Sequence, residues 1–309
     1  MANPGEMFNG SVVAVTGASG FIGAHLVARL CALGAQVHGI ARSTLTFEHR
    51  HLRSWSVDLG DYAKVESTIR SIRPDYVFHL ASHVMGAPDL KHVLPAFHAN
   101  LATTVNLLTA CAETGHGTGR VVVTGSLVEP PAGELETIPS SPYAAAKWAS
   151  SSYARMFHAL YGLPTNIARV FMVYGPAQRD ETKLVPYVVR SMFAGQVPKI
   201  TSGQRQIDWI NVADVVEGFL AIAAAPGIAG QSVDLGSGHT ISTKDFVVQI
   251  AKLMNLPLQP EFGALPDRPL EPLRTADVER SYRQTGWRPT VSLEQGLREV
   301  IAYYRGEKA

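Results

Sequence analysis

The feature that most constrains this chain is Val12-Val13-Ala14-Val15-Thr16-Gly17-Ala18-Ser19-Gly20-Phe21-Ile22-Gly23, an apolar, β-branched run that breaks into three spaced glycines. A short strand with no polar interruption suits the centre of a parallel sheet. Gly17 permits a tight turn, Gly20 lets the backbone approach a pyrophosphate, and Gly23 lets the next helix pack close to the strand. The first-turn amides then face the phosphates with the helix dipole behind them. Three glycines alone say little. At the end of a first strand, with a second strand expected over 36–40, they predict a dinucleotide site.

The first half of the chain keeps that alternation. A helix over 21–33 stops at Gly34, and a third strand covers 55–57. A helix over 61–72 ends before Pro74, and a strand follows over 76–81. A long helix over 95–114 precedes a strand over 120–124, and a helix over 142–161 precedes a strand over 166–170. Such order predicts right-handed βαβ units and a parallel sheet covered on both faces. Beyond Tyr174-Gly175-Pro176 prolines become frequent and strands shorten, which predicts a smaller, discontinuous α/β domain. The division expected is 10–175 plus 208–243 for the dinucleotide-binding domain, and 176–207 plus 244–309 for the substrate domain. Segments 208–212 and 232–235 are assigned to the larger unit.

The 309 residues are 46% hydrophobic and 17% charged, with a net charge of +1, the balance of a globular enzyme. That charge gives no reason to expect nucleic acid or an acidic membrane as partner. No apolar run reaches the length of a membrane span, and residues 1–10 lack the basic start and apolar stretch of a signal peptide. Cys31 and Cys111 fall in apolar helical patterns, as reduced core residues do. A soluble, cytoplasmic protein is expected.

Three groups carry chemistry. The second strand ends in Ala41 and Arg42, where NAD-preferring sites place a carboxylate for the ribose 2′-hydroxyl. A guanidinium there suits a 2′-phosphate, so NADP(H) is favoured and NAD(H) is the alternative, unless Arg42 is a plain surface arginine. Asp58, just past the third strand, either accepts the adenine amino group or shapes a turn, and Asp61 reads as a helix N-cap. Ser126, Tyr143 and Lys147 are the third group. Tyr143 and Lys147 share one helix face, four residues apart, and Ser126 follows the strand over 120–124. A free phenol titrates near 10. A neighbouring ammonium and a nicotinamide cation favour its phenolate, and Ser126 can orient a substrate oxygen. His79 and His83 sit at a strand end with no third ligand in view, so no metal site is expected.

With these residues in place, the chain resembles the extended short-chain dehydrogenases/reductases, the NAD-dependent epimerase/dehydratase family. The likeness runs from Val12 to about Arg305. It includes Thr16-Gly17-x-x-Gly20-x-x-Gly23, Asp75-Tyr76-Val77-Phe78-His79-Leu80-Ala81 and Ser141-Pro142-Tyr143-x-x-x-Lys147. Further on it takes in Arg169 to Pro176, Asp208-Trp209-Ile210-Asn211-Val212-Ala213-Asp214 and Gly286-Trp287-Arg288-Pro289, segments typical of members that act on nucleotide-diphosphate sugars. The resemblance implies a Rossmann-type, doubly wound parallel sheet with a small C-terminal sugar-nucleotide domain, and a homodimer joined through a four-helix bundle. It implies Ser126, Tyr143 and Lys147 as catalytic residues. It implies a cofactor held by Gly17, Ser19, Gly20, Phe21, Ile22, Gly23, Arg42, Asp58, Leu59, Leu80, Ala81 and Ser82 together with Tyr143 and Lys147. His83, Arg205 and Arg268 are candidate substrate contacts.

Departures from the family narrow the reaction. Its 4,6-dehydratases carry an Asp-Glu pair after the active-site Ser or Thr, where this chain has Leu127 and Val128. Neither can move a proton, so dehydration is not expected. Glu129-Pro130-Pro131 replaces the usual Val-Tyr-Gly, and Glu129 either reaches the sugar or lies in solvent. Met172 and Ile207 replace an Asn and an Arg that many relatives use at the diphosphate. The second strand looks like that of NADP-dependent GDP-mannose 4,6-dehydratases, while Thr124-Gly125-Ser126-x-x-Glu129 looks like nucleotide-sugar 4-ketoreductases. The leading expectation is an NADPH-dependent reductase of a nucleotide-linked 4-keto(-6-deoxy) sugar, as in deoxysugar biosynthesis. The alternative is a 4-epimerase of the UDP-glucose or UDP-glucuronate type. A non-catalytic NADP-binding redox sensor is a remote third, since such proteins commonly lack the Tyr-Lys pair.

Overall fold

The computed structural model describes residues 4–43, 45, 47–114, 117–130, 136–267 and 273–306. Its strands are β1 (Val12–Thr16), β2 (Gln36–Ala41), β3 (Leu52–Ser56), β4 (Tyr76–His79), β5 (Arg120–Ser126), β6 (Thr165–Val170), β7 (Met172–Tyr174), β8 (Lys199–Ile200), β9 (Gln206–Asn211), β10 (Ser232–Leu235), β11 (Thr240–Ser242) and β12 (Glu261–Phe262). The α-helices are α1 (Pro4–Phe8), α2 (Phe21–Ala32), α3 (Tyr62–Ile72), α4 (Val93–Ala96), α5 (Thr103–Glu113), α6 (Pro142–Tyr161), α7 (Leu184–Phe193), α8 (Val212–Ala224), α9 (Thr243–Met254), α10 (Val278–Thr285) and α11 (Leu293–Arg305).

Seven strands form one parallel sheet in the order β10-β6-β5-β4-β1-β2-β3. The chain winds outward from β1 to β3, then crosses back to lay β4 on the other side of β1. That reversal opens a crevice beyond the carboxyl ends of β1 and β4, where doubly wound sheets bind ligands. One core joins the sheet to α1, α2 and α8 through Phe8, Leu26, Leu30, Phe78 and Phe219. A second covers the opposite face with α3, α5 and α6, through Val65, Ile69, Leu107, Leu108 and Phe157. The covered sheet is the α/β architecture that the alternation predicts.

A third core gathers α7, α9 and α11 on a three-stranded sheet of order β11-β9-β7. Trp209 stacks on Phe246 there, with ring centroids 3.9 Å apart. Two buried carboxylates brace this region. Asp208 accepts the backbone N–H groups of Ser237, Gly238 and Ala276 at 2.6, 3.1 and 2.9 Å. Asp214 accepts those of Thr290 and Val291 at 2.9 and 3.0 Å, while its carbonyl takes the Trp287 indole N–H at 3.0 Å. The Asp208–Asp214 and Gly286–Pro289 motifs thus meet as structural partners.

Several elements differ from expectation. Segment 208–212 does not lie in the large sheet: β9 pairs with β7 and β11, and only α8 after it packs on the larger core. The expected helix over 95–114 is not continuous. A 3₁₀ turn (Leu90–His92), α4, a π-helical stretch (Phe97–Ala102) and α5 replace it, because the Asn100 carbonyl accepts side-chain hydroxyls from Thr104 and Ser150 at 2.6 and 3.2 Å. β3 starts at Leu52, three residues before the apolar signal, because an edge strand can be mostly exposed. β4 ends at His79, and β5 runs on to Ser126.

Candidate functional site

The glycine turn has no room for side chains. Gly17 has φ +69°, and a Cβ on it would stand 2.6 Å from the backbone nitrogen of Ala81. A Cβ on Gly23 would lie 2.1 Å from the Gly17 carbonyl oxygen. Gly20 precedes α2 without a side-chain cap, so the first-turn amides stay open beside exposed Ser19 and half-buried Phe21 and Ile22. A bare, cationic-ended backbone cradle at the switch point fits a dinucleotide pyrophosphate.

Around this turn stand the other predicted contacts. Leu80 and Ala81 donate their N–H groups to the Thr16 carbonyl (3.2 Å) and hydroxyl (3.3 Å). Arg42 is exposed just past β2, its carbonyl accepting the Ser56 hydroxyl at 3.0 Å. Asp58 shapes a turn by accepting the Gly60 N–H at 2.9 Å, while its side chain stays exposed at the sheet edge. The carbonyl of buried Leu59 accepts the Asn106 amide at 2.8 Å. Asp61 caps α3 as expected, accepting the Lys64 N–H at 3.2 Å.

Ser126, Tyr143 and Lys147 come together at the end of β5 and the start of α6. Ser141 caps α6 by accepting the Ala144 N–H at 3.2 Å, and Pro142 opens the helix with its fixed φ. Lys147 is buried, donates to the Thr124 carbonyl at 3.0 Å, and sits 5.9 Å from the centre of the Tyr143 ring. Tyr143 is not acidified in this arrangement. Burial pushes its phenol up to about 12, although hydrogen bonds with Ser126 and Ser82 favour the phenolate. The Lys147 ammonium is committed to the Thr124 carbonyl, and burial lowers Lys147 itself to about 8. Near neutral pH the pair therefore stands as phenol and ammonium.

Asn100, which the sequence reading missed, and His79, which it weighed only as a metal ligand, shape the site. Asn100 is buried in the π-helical stretch. Its Oδ1 accepts the Ser82 hydroxyl (2.9 Å) and the His83 N–H (2.7 Å), and its amide donates to the His83 carbonyl at 3.2 Å. A pattern read as regular helix gave no signal for it. His79 is fully enclosed between Thr16 (Nδ1, 2.7 Å) and Thr104 (Nε2, 2.9 Å). Thr104 donates onward to the Asn100 carbonyl, so it accepts from Nε2–H, and Thr16 donates to Nδ1. Burial and the Lys147 charge keep the imidazole neutral, at about 3.

The remaining predictions divide. Glu129 neither lies in solvent nor reaches the cleft: it is 1% exposed, its Oε1 accepting the Ser126 N–H at 2.7 Å. Leu127 is buried and Val128 half-buried beside it. Arg205 lies ahead of β9, its carbonyl accepting the Thr243 N–H at 2.9 Å. His83 is half-buried, its ring 6.1 Å from that of His92. Met172 lies on β7 and Ile207 is buried on β9. Arg268 lies outside the described residues. Among the described residues no helix is long and apolar enough to cross a membrane.

A glycine turn at the switch point and a Ser-Tyr-Lys group at the next strand end define a nucleotide-cofactor oxidoreductase fold of the short-chain type. The chain belongs to the NAD dependent epimerase/dehydratase family, which it matches over residues 13–236. It is 32% identical to a UDP-glucose 4-epimerase of Mycolicibacterium smegmatis, across 95% of this chain and 98% of that one. It is 27% identical to a dTDP-glucose 4,6-dehydratase of Haemophilus influenzae, across 94% and 97%. Among solved structures it resembles the Bacillus cereus UDP-glucuronic acid 4-epimerase in complex with UDP-glucuronic acid and NAD, with a TM-score of 0.84, 25% identity, and 95% and 99% of the two chains covered. The Thermus thermophilus UDP-glucose 4-epimerase complex with NAD gives a TM-score of 0.79 at 28% identity, over 95% and 99%.

Proposed function

We propose that this protein acts at C4 of a nucleotide-diphosphate sugar as a 4-epimerase. The observation that carries the reading is the gathered Ser126, Tyr143 and Lys147 with only apolar Leu127 and Val128 following the serine. No acid stands there to expel water, which separates this site from the dehydratases among its relatives. The likeness to 4-epimerases along nearly the whole chain supports the same choice.

The glycine cradle, Leu80, Ala81 and Ser82 hold the dinucleotide, which when bound accepts and returns a hydride. Ser126 orients the C4 oxygen by hydrogen bonding. Tyr143 moves the proton on that oxygen, as acid in the phenol form during return and, once deprotonated, as base during oxidation. Lys147 supplies the fixed positive charge beside the phenol, which grows in value once water is excluded. His83 and Arg205, with Arg268 from the C-terminal segment, take the substrate side.

A second reading has its own observation. Arg42, not a carboxylate, is the exposed side chain past β2, which favours a 2′-phosphate and hence an NADPH-dependent 4-keto reductase. A homodimer is part of either reading, supported by exposed Val93, Leu94 and Phe97 beside Tyr153 and Leu160 of α6. The two reactions differ in stoichiometry. Incubated with UDP-glucose or UDP-glucuronate and oxidised cofactor, the protein is expected to form the 4-epimer with no net change in near-ultraviolet cofactor absorbance. Loss of one NADPH per nucleotide-linked 4-keto sugar reduced, with no epimer formed, would reverse the choice.

A further inference from the structure

The turn that follows Ser126 is closed from within and held from without. Glu129 donates its N–H to the Ser126 carbonyl at 3.1 Å, while its Oε1 accepts the Ser126 N–H at 2.7 Å. The Val128 N–H donates to Ser126 Oγ at 3.5 Å, and Leu127 donates to the Val170 carbonyl of β6 at 3.0 Å. Gly125 makes the space for this closure, since a Cβ there would lie 2.6 Å from Glu129 Oε1. All four backbone N–H groups of the turn are thus committed inward. The carbonyls of Leu127 and Glu129 face the other way, and half-buried Arg274 meets both. Its Nη1 donates to Leu127 at 3.4 Å and to Glu129. One amino group of a guanidinium carries two N–H bonds, one for each acceptor.

The backbone that carries Arg274 is itself anchored. Two residues on, Ala276 donates its N–H to Asp208 of β9 at 2.9 Å, and Asp277 donates to Asp234 of β10 at 3.2 Å. Asp277 then caps α10, accepting the Arg280 N–H at 2.9 Å. Residues 274–277 therefore form a crosspiece between the small sheet, the outermost strand of the large sheet and the turn after Ser126. Arg274 is its arm toward that turn, 145 residues away in sequence.

We propose that Arg274 is a positioning residue: from the C-terminal segment it fixes the turn 126–129, and through that turn the direction of the Ser126 hydroxyl. The proposal rests on Ser126 being the group that orients the C4 oxygen of the sugar. Arg274 acts through backbone carbonyls, without touching substrate or cofactor. Released from it, the turn keeps its inner bonds but loses its outer stop, and Ser126 Oγ shifts with it. Displacements of about 1 Å at a reacting group can cost about 10²-fold in rate.

Two measurements test it. The first is amide hydrogen exchange without substrate. In Arg274→Ala, residues 126–129 are expected to exchange roughly tenfold faster, as loss of a charge-assisted hydrogen bond implies, while the body of α6 is unchanged. Arg274→Lys, which keeps a charged donor, restores most of the protection. The second is a double-mutant cycle in kcat. Arg274→Ala is expected to lower kcat by about tenfold, with KM and cofactor affinity near wild type. In a Ser126→Ala background the same change adds nothing, whereas a merely structural loss would lower kcat equally in both backgrounds. Unchanged exchange over 126–129 overturns the proposal, as does an equal kcat loss in the two backgrounds. Failure of both Arg274 variants to fold also overturns it, by making Arg274 a packing residue alone. Because the exchange needs no turnover, an error in the substrate class leaves that half intact. Wild-type protein that turns over no nucleotide-linked sugar would overturn the proposed reaction instead.

Discussion

At neutral pH Tyr143 is a phenol, because burial disfavours its anion more than Ser126 and Ser82 can favour it. A single oxygen therefore carries the proton in the proposed reaction, and its loss is directly testable. Tyr143→Phe removes that oxygen while leaving the glycine cradle untouched, so cofactor affinity stays near wild type and kcat falls by about 10²–10⁴-fold. Titration of the dinucleotide beside steady-state kinetics checks both halves. Residue identity was the most legible level of this protein: spacing alone brought Ser126, Tyr143 and Lys147 to one place. What spacing could not supply was direction. That Lys147 faces the Thr124 carbonyl, and that Glu129 turns inward, depend on side-chain orientation and on the space beside Gly125.

Elements were legible where one physical signal dominated. Helix α6 starts and stops where its caps are, at Ser141 and Gly162. The π-helical stretch was hidden, because its cause is a set of hydroxyls competing for the Asn100 carbonyl from a turn and a helix away. Helix α1 carries too few residues for any periodicity, and its position is fixed by Phe8 packing on Tyr76 at 5.1 Å. The turn from β1 to α2 is the element with least freedom. A Gly23→Ala methyl cannot fit 2.1 Å from the Gly17 oxygen without moving the turn or the helix. The expected outcome is at least a tenfold loss of dinucleotide affinity, about 1.4 kcal/mol, measured by calorimetric titration. Cofactor affinity equal to wild type would show that the turn gives way without cost.

For the whole molecule, the enclosed imidazole of His79 ties stability to pH. Folded, it titrates at about 3 against an ordinary value of 6.5. As pH falls below the ordinary value, unfolded chains take up a proton there that the folded state refuses. Stability is therefore complete above that value and is lost toward acid, by roughly 2 kcal/mol near pH 5. Glu129 works the other way, since its raised pKa makes the folded state the better proton acceptor as pH falls. The difference between wild type and His79→Gln isolates the histidine. Denaturant unfolding across this range should show a shallower acid loss in the variant, and parallel curves would refute the assignment.

The seven-stranded sheet also has a history written into its order. Its outermost strand, β10, joins β6 only after sixty-one intervening residues, 171–231, have built β7, β8, β9, α7 and α8. During synthesis β6 must wait as an open edge, with its hydrogen-bonding groups unpaired, until residue 235 is available. The glycine turn and the strand beside it, residues 12–23 and 76–82, are synthesised long before that moment. The proposed cofactor turn thus exists before the smaller sheet of β7, β9 and β11 on the proposed substrate side is complete.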